Sequence, residues 1–180
     1  SKLTCSVATY QQSKAEITVH DSLPSLKKIH CNISAEHTFS FSSNNIIGFL
    51  EGQIADTAVV ISAHYDHLGG IGSSTYIPGA NDNASGTAML ISIIDTLIAN
   101  DIKPKYSIYF MAFAGEEAGL LGSKHYVEHP HFPITNIKFL LNIDLMGTGE
   151  EGITVVNGSV FEKQYEQLLA LNERQKAVVD

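Results

Sequence analysis

The sequence predicts an α/β fold: a three-layer α/β/α sandwich around a mainly parallel mixed sheet, with antiparallel strands at the N-terminal edge. Three observations predict it. Residues 57–63, 106–114 and 137–143 are short apolar runs with no regular polar face, the pattern of strands buried on both sides. Helix-like segments fall between those runs, and that alternation implies parallel strands covered by helices on both faces. Upstream, residues 28–41 alternate. Ile29, Cys31, Ile33, Ala35, Phe39 and Phe41 point one way, and Lys28, His30, Asn32, Ser34, Glu36, Thr38 and Ser40 the other. A strand with one wet face suits an antiparallel edge.

The remaining elements follow in chain order. Residues 16–20 alternate briefly and predict a short strand. Residues 42–45 form a turn, and residues 46–50 the returning strand. Residues 64–84 are a long loop carrying Gly69, Gly70, Gly72, Pro78 and Gly79. Residues 85–100 read as a helix with Ser85 or Asn83 as cap and an apolar stripe of Leu90, Ile94, Leu97 and Ile98. Residues 119–127 predict a short helix, 153–156 a short strand and 160–176 a closing helix. No repeat or low-complexity tract divides the chain, so residues 1–180 are expected to form a single domain.

Bulk properties narrow the function. The chain has 180 residues, 44% of them hydrophobic and 17% charged, enough for one domain with a sizeable core. Net charge is −8, and no cluster of Lys and Arg exists, so nucleic acid is not an expected partner. No apolar stretch is long enough to span a bilayer, so no membrane partner is expected. Cys5 and Cys31 are the only cysteines; one disulfide and two free thiols are both open.

The chemistry lies after the apolar runs. His64 ends the first, and a neutral imidazole at a strand end is a good zinc ligand. Asp66 is two residues on, on the same side of an extended chain, where its carboxylate can accept the other imidazole proton. Asp82 sits in Pro78-Gly-Ala-Asn-Asp-Asn-Ala-Ser-Gly86. A glycine-rich turn allows close approach to a buried centre, and a carboxylate there can bridge two cations. Glu116 and Glu117 make a costly like-charge pair in apolar surroundings. One can bind metal while the other takes a proton. Asp144 directly follows the third run and must be solvated, paired or metal-bound. Each has an ordinary alternative: a surface ion pair, an Asx turn, a helix N-terminus. Their joint placement at strand ends argues against coincidence.

Four segments resemble the M28 family of zinc aminopeptidases: Ala63-His-Tyr-Asp-His-Leu-Gly69, Gly79-Ala-Asn-Asp-Asn-Ala-Ser-Gly-Thr87, Phe113-Ala-Gly-Glu-Glu-Ala-Gly-Leu-Leu-Gly-Ser123 and Asn142-Ile-Asp-Leu-Met-Gly147. Their order and spacing match too, from about residue 45 to 149. The resemblance implies a two-zinc site. His64, Asp82 and Asp144 would bind one zinc, with Asp82 bridging to a second held by Glu117 and another histidine. Glu116 would be the general base that activates a metal-bound water, and Asp66 would orient His64. The implied reaction is hydrolysis of the N-terminal residue of a peptide with a free N-terminus. The family's second histidine lies late in the domain, whereas no histidine follows His131 here. His125, His129 and His131 precede Asp144, out of family order, and read as a helix end and loop. The chain is therefore expected to hold the first portion of a longer catalytic domain, with two zinc ions in the complete domain and one or none here. The family analogy also implies a secreted or periplasmic protein.

Two other functions fit parts of the pattern. A glutaminyl-peptide cyclotransferase, a single-zinc acyltransferase, resembles this fold and shares a Glu-Glu type segment. A non-catalytic binding domain on the peptidase fold would be expected to lose Glu116 or the ligands, and this chain keeps them.

Overall fold

The computed structural model describes residues 7, 27–28, 30–149 and 152–175. Their elements are β1 (Ile46–Leu50), β2 (Ile54–His64), β3 (Gly70–Ile71), β4 (Thr75–Tyr76), α1 (Gly86–Ala99), β5 (Tyr106–Phe113), α2 (Leu121–Glu128), β6 (Ile137–Asn142) and α3 (Glu162–Gln175). The main sheet has the order β1-β5-β2-β6, and β3 and β4 form a separate small hairpin. β2 runs parallel to both β5 and β6, while β1 is antiparallel to β5 at one edge. The expected mixed, mainly parallel sheet is therefore the one observed.

Alternate residues of the central strands serve two different cores, because successive side chains point to opposite faces. Val60 and Met111 pack with Tyr126 of α2, joined by Ile47, Tyr109 and Phe113. Ala63 and Phe110 pack with Leu90 of α1, joined by Ile61, Ile94, Leu97 and Ala112. With both faces covered, neither register of these strands is polar, which explains the unbroken apolar runs. Truncating Leu90 to Ala would cost about 2–5 kcal/mol.

Four expectations need correction or fall outside the description. Among the described residues, 28–41 form no strand. Phe39 and Phe41 are each 85% exposed, so the alternation has nothing to pack on. A half-apolar strand forms only where a sheet edge and a second layer receive it. Residues 153–156 are likewise irregular. β6 forms within the expected bounds but is an edge strand, and Leu140 and Leu141 remain 49% and 44% exposed. Residues 16–20 and Cys5 lie outside the described residues; Cys31 is exposed and free.

Candidate metal centre

The parallel strands β2, β5 and β6 end on the same side of the sheet, and each hands a ligand-type residue to that end. His64 is the last residue of β2, Glu116 follows β5, and Asp144 follows β6. Asp82 arrives from a wide helical turn, Ala80–Ser85, that leads into α1 and has non-helical backbone at Asp82 and Asn83. All six residues singled out in the sequence meet here.

His64 is the hub. It is 4% exposed, and its Nε2 lies 3.2 Å from Asp82 Oδ1, 3.6 Å from Asp144 Oδ1 and 4.0 Å from Glu116 Oε2. Its other nitrogen, Nδ1, is 3.1 Å from the Asp66 carbonyl oxygen. A carbonyl only accepts, so Nδ1 donates, and Nε2 is turned toward three carboxylates. The expected partner for Nδ1 was the Asp66 carboxylate; that oxygen is 3.7 Å away. The carboxylate is instead engaged by backbone, accepting the N–H of Glu116 at 3.0 Å and of Glu117 at 3.2 Å. Gly115, with φ +66°, makes the turn after β5 that presents those two amides.

The loop bearing Asp82 is pinned to both strand ends. Asn83, 1% exposed, donates from Nδ2 to the Ile143 carbonyl, while its Oδ1 accepts from the N–H groups of Gly86 and Leu145. Asn83 thus satisfies the first amide of α1, whereas the Ser85 hydroxyl donates to the Asn81 carbonyl. The Thr87 hydroxyl donates to the His64 carbonyl, tying α1 to the end of β2. Gly86 must lack a side chain, since a Cβ there would come within 2.3 Å of Asn83 Oδ1.

A second group stands beside the first. His67 Nδ1 lies 2.8 Å from Glu117 Oε1, and His67, Asp82 and Glu117 offer ligand atoms all within 4.8 Å of one another, as do His64, Asp82 and Asp144. The sequence reading gave His67 no role of its own; its signal was a histidine three residues after a strand-end histidine. Asn83 was read only as a possible cap. By contrast, His125, His129 and His131 are exposed; His125 stacks on His129 and His131 on Tyr126.

The electrostatics call for a cation. Asp66, Asp82, Glu116, Glu117 and Asp144 converge, and every ion pair among the described residues runs between these carboxylates and His64 or His67. Burial raises the pKa of Glu116 above the ordinary carboxylate range; His64 lowers it, and Glu117, Asp144 and Asp66 raise it further. A buried imidazole nitrogen facing several carboxylates with no lysine among them suits a divalent metal. A cavity of about 330 Å³ opens beside Glu116 and Asp144, walled by Val60, Met111, Phe113 and Tyr126.

The sequence profile of Peptidase family M28 matches residues 45–179. The chain belongs to peptidase family M28. It is similar to aminopeptidase YwaD of Bacillus subtilis, 36% identical over 113 residues that cover 61% of this chain and 23% of that protein. LapA of Legionella pneumophila is 29% identical over 59% of this chain and 28% of its own, with a TM-score of 0.51. A glutaminyl cyclase of Bacteroides thetaiotaomicron shares the fold, with a TM-score of 0.57 at 22% identity over 76% of this chain and 55% of its own. The chain spans about a quarter of the length of the curated relatives it matches. No helix among the described residues is long and apolar enough to cross a membrane.

Proposed function

We propose that the protein is a zinc-dependent aminopeptidase that removes the N-terminal residue of peptides. The observation that carries this reading is the arrangement around His64: its Nε2 faces Asp82, Asp144 and Glu116 at 3.2, 3.6 and 4.0 Å. His64, Asp82 and Asp144 would hold one zinc ion, with Asp82 also turned toward Glu117. Zinc bound there supplies charge that polarises a peptide carbonyl and acidifies a water.

The chain's own residues supply the rest. Glu116 accepts a proton from the attacking water and returns it to the leaving amine. Its burial-raised pKa suits a group that must both take and give a proton. Asp66 positions Glu116 by accepting its backbone N–H, and fixes the His64 tautomer through its carbonyl. The apolar walls of the cavity beside Glu116 would receive the side chain of the residue released. The location outside the cytosol implied by the family remains part of this proposal.

Two peptides differing only in N-terminal acetylation test it, with the full-length protein, chelator and added zinc. The free peptide should lose one residue, the acetylated one none, and chelation should stop the reaction until zinc is restored. Internal cleavage of both peptides contradicts the reading. Cyclisation of a glutaminyl peptide without trimming would favour the cyclotransferase instead.

A further inference from the structure

The segment that carries Glu116 and Glu117 is fastened at both ends by one side chain. β1 pairs with β5 as far as Ile46, which lies opposite Ala112. One residue before β1, the partly buried Asn45 reaches across with its side chain instead. Asn45 Oδ1 accepts the Ala114 N–H at 3.1 Å, and Nδ2 donates to the Gly122 carbonyl at 2.8 Å. An N–H can meet only the amide oxygen and a carbonyl only the amide nitrogen, so one orientation of the carboxamide serves both. Backbone closes the same segment from within: the Gly122 N–H donates to the Ala114 carbonyl and the Leu121 N–H to that of Gly115, each at 2.9 Å. Gly122 must lack a side chain, because a Cβ there would collide with the Ala114 carbonyl oxygen and Asn45 Oδ1. Between these ends Leu120 holds φ +62°, a conformation that costs a residue with a Cβ about 1–2 kcal/mol. Such a loop persists only where its surroundings impose it. Asp66 grips the middle of the segment through the Glu116 and Glu117 amides, and Asn45 joins its ends.

We propose that Asn45 is a positioning residue for the reaction: by joining Ala114 to Gly122 it sets where the turn between β5 and α2 presents the Glu116 carboxylate to the metal centre. Asn45 acts through backbone alone. Glu116 stands two residues past Ala114, so slack at the Ala114–Gly122 junction passes directly to its carboxylate. A misplacement of about 1 Å at a reacting group costs on the order of 100-fold in rate. The kinetic half of this inference rests on the aminopeptidase reading; the structural half does not.

The test assays the full-length protein at saturating zinc on a peptide with a free N-terminus, with Asn45→Ala and Asn45→Asp beside wild type. Asn45→Asp keeps the volume and the acceptor for Ala114 but turns a carboxylate oxygen on the Gly122 carbonyl. Both variants should lose about 10–100-fold in kcat, with KM within about twofold of wild type, the signature of an interaction expressed in the transition state. Hydrogen exchange followed by mass spectrometry should accelerate across residues 114–122 and stay unchanged in β2. Should Asn45→Ala not fold, the near-isosteric Asn45→Asp decides alone. A residue that only stabilises the fold would lower Tm and leave the kcat of the folded, zinc-loaded enzyme unchanged; that result overturns the proposal, as does a rise in KM alone. A wild type that trims no peptide sinks the aminopeptidase reading instead. Exchange across 114–122 then still decides whether Asn45 fastens the turn, and unchanged exchange in both variants overturns it.

Discussion

Two groups of candidate metal ligands share Asp82 and are built in different ways. His64 is the last residue of β2, paired with Phe113 of β5, and Asp144 follows the end of β6 by two residues. His67 and Glu117 stand on loops, held by side-chain hydrogen bonds and close glycine packing. Coverage does not follow that division: strand-borne His64 is 4% exposed and Asp144, just past β6, 42%, while His67 and Glu117 are 18% and 17% and loop-borne Asp82 is 44%. Position on a strand therefore does not decide how dry a ligand is.

Asp82→Ala breaks the comparison most severely, because both groups lose a member. Metal binding should disappear in calorimetry; binding at wild-type strength would mean that the groups do not depend on Asp82. Asp66→Ala is the next largest. It leaves the amides of Glu116 and Glu117 without their acceptor, and metal affinity should fall about 10–100-fold. The Glu117 side should suffer more than the His64 side, as read in cobalt spectra. Asn83→Ala removes three hydrogen bonds, two to the segment after β6 and one to the first amide of α1. It should cost about 1–3 kcal/mol in denaturant unfolding.

Glu116→Gln gives the smallest effect on stability, and its size depends on pH. Glu116 has a raised pKa in the folded protein. The folded state therefore holds a proton that the unfolded state has already released, and stability falls as pH rises through that window. In chelator, the Gln variant should be more stable than wild type at neutral pH. The two should converge below about pH 4, where the unfolded carboxyl is protonated as well. A constant difference across pH would refute the assignment of the burden to Glu116.

Much of this was legible in the sequence for a definite reason. Runs 57–63 and 106–114 became β2 and β5 because strands lying between two helical layers cannot carry a polar face, and run 137–143 became β6. His64, Glu116 and Asp144 could be placed at one end of the sheet once those strands were taken as parallel. What failed depended on neighbours that a local pattern does not contain. Residues 28–41 have a strand's alternation without a receiving edge. β6 has a buried strand's composition but sits at the rim. Asp66 has the right spacing from His64, yet its carboxylate is drawn to two amides some fifty residues away. His67 escaped because its partners, Glu117 and the loop at Gly79, are distant in sequence and close only in the fold.

The central claim is that Glu116 moves the proton while other residues hold the metal. Turnover and metal content of Glu116→Gln in the full-length protein, measured side by side on a peptide with a free N-terminus, test this most directly. Zinc content should match wild type, and kcat should fall by about 10²–10⁴-fold. Wild-type turnover in a fully zinc-loaded Glu116→Gln variant would contradict the account.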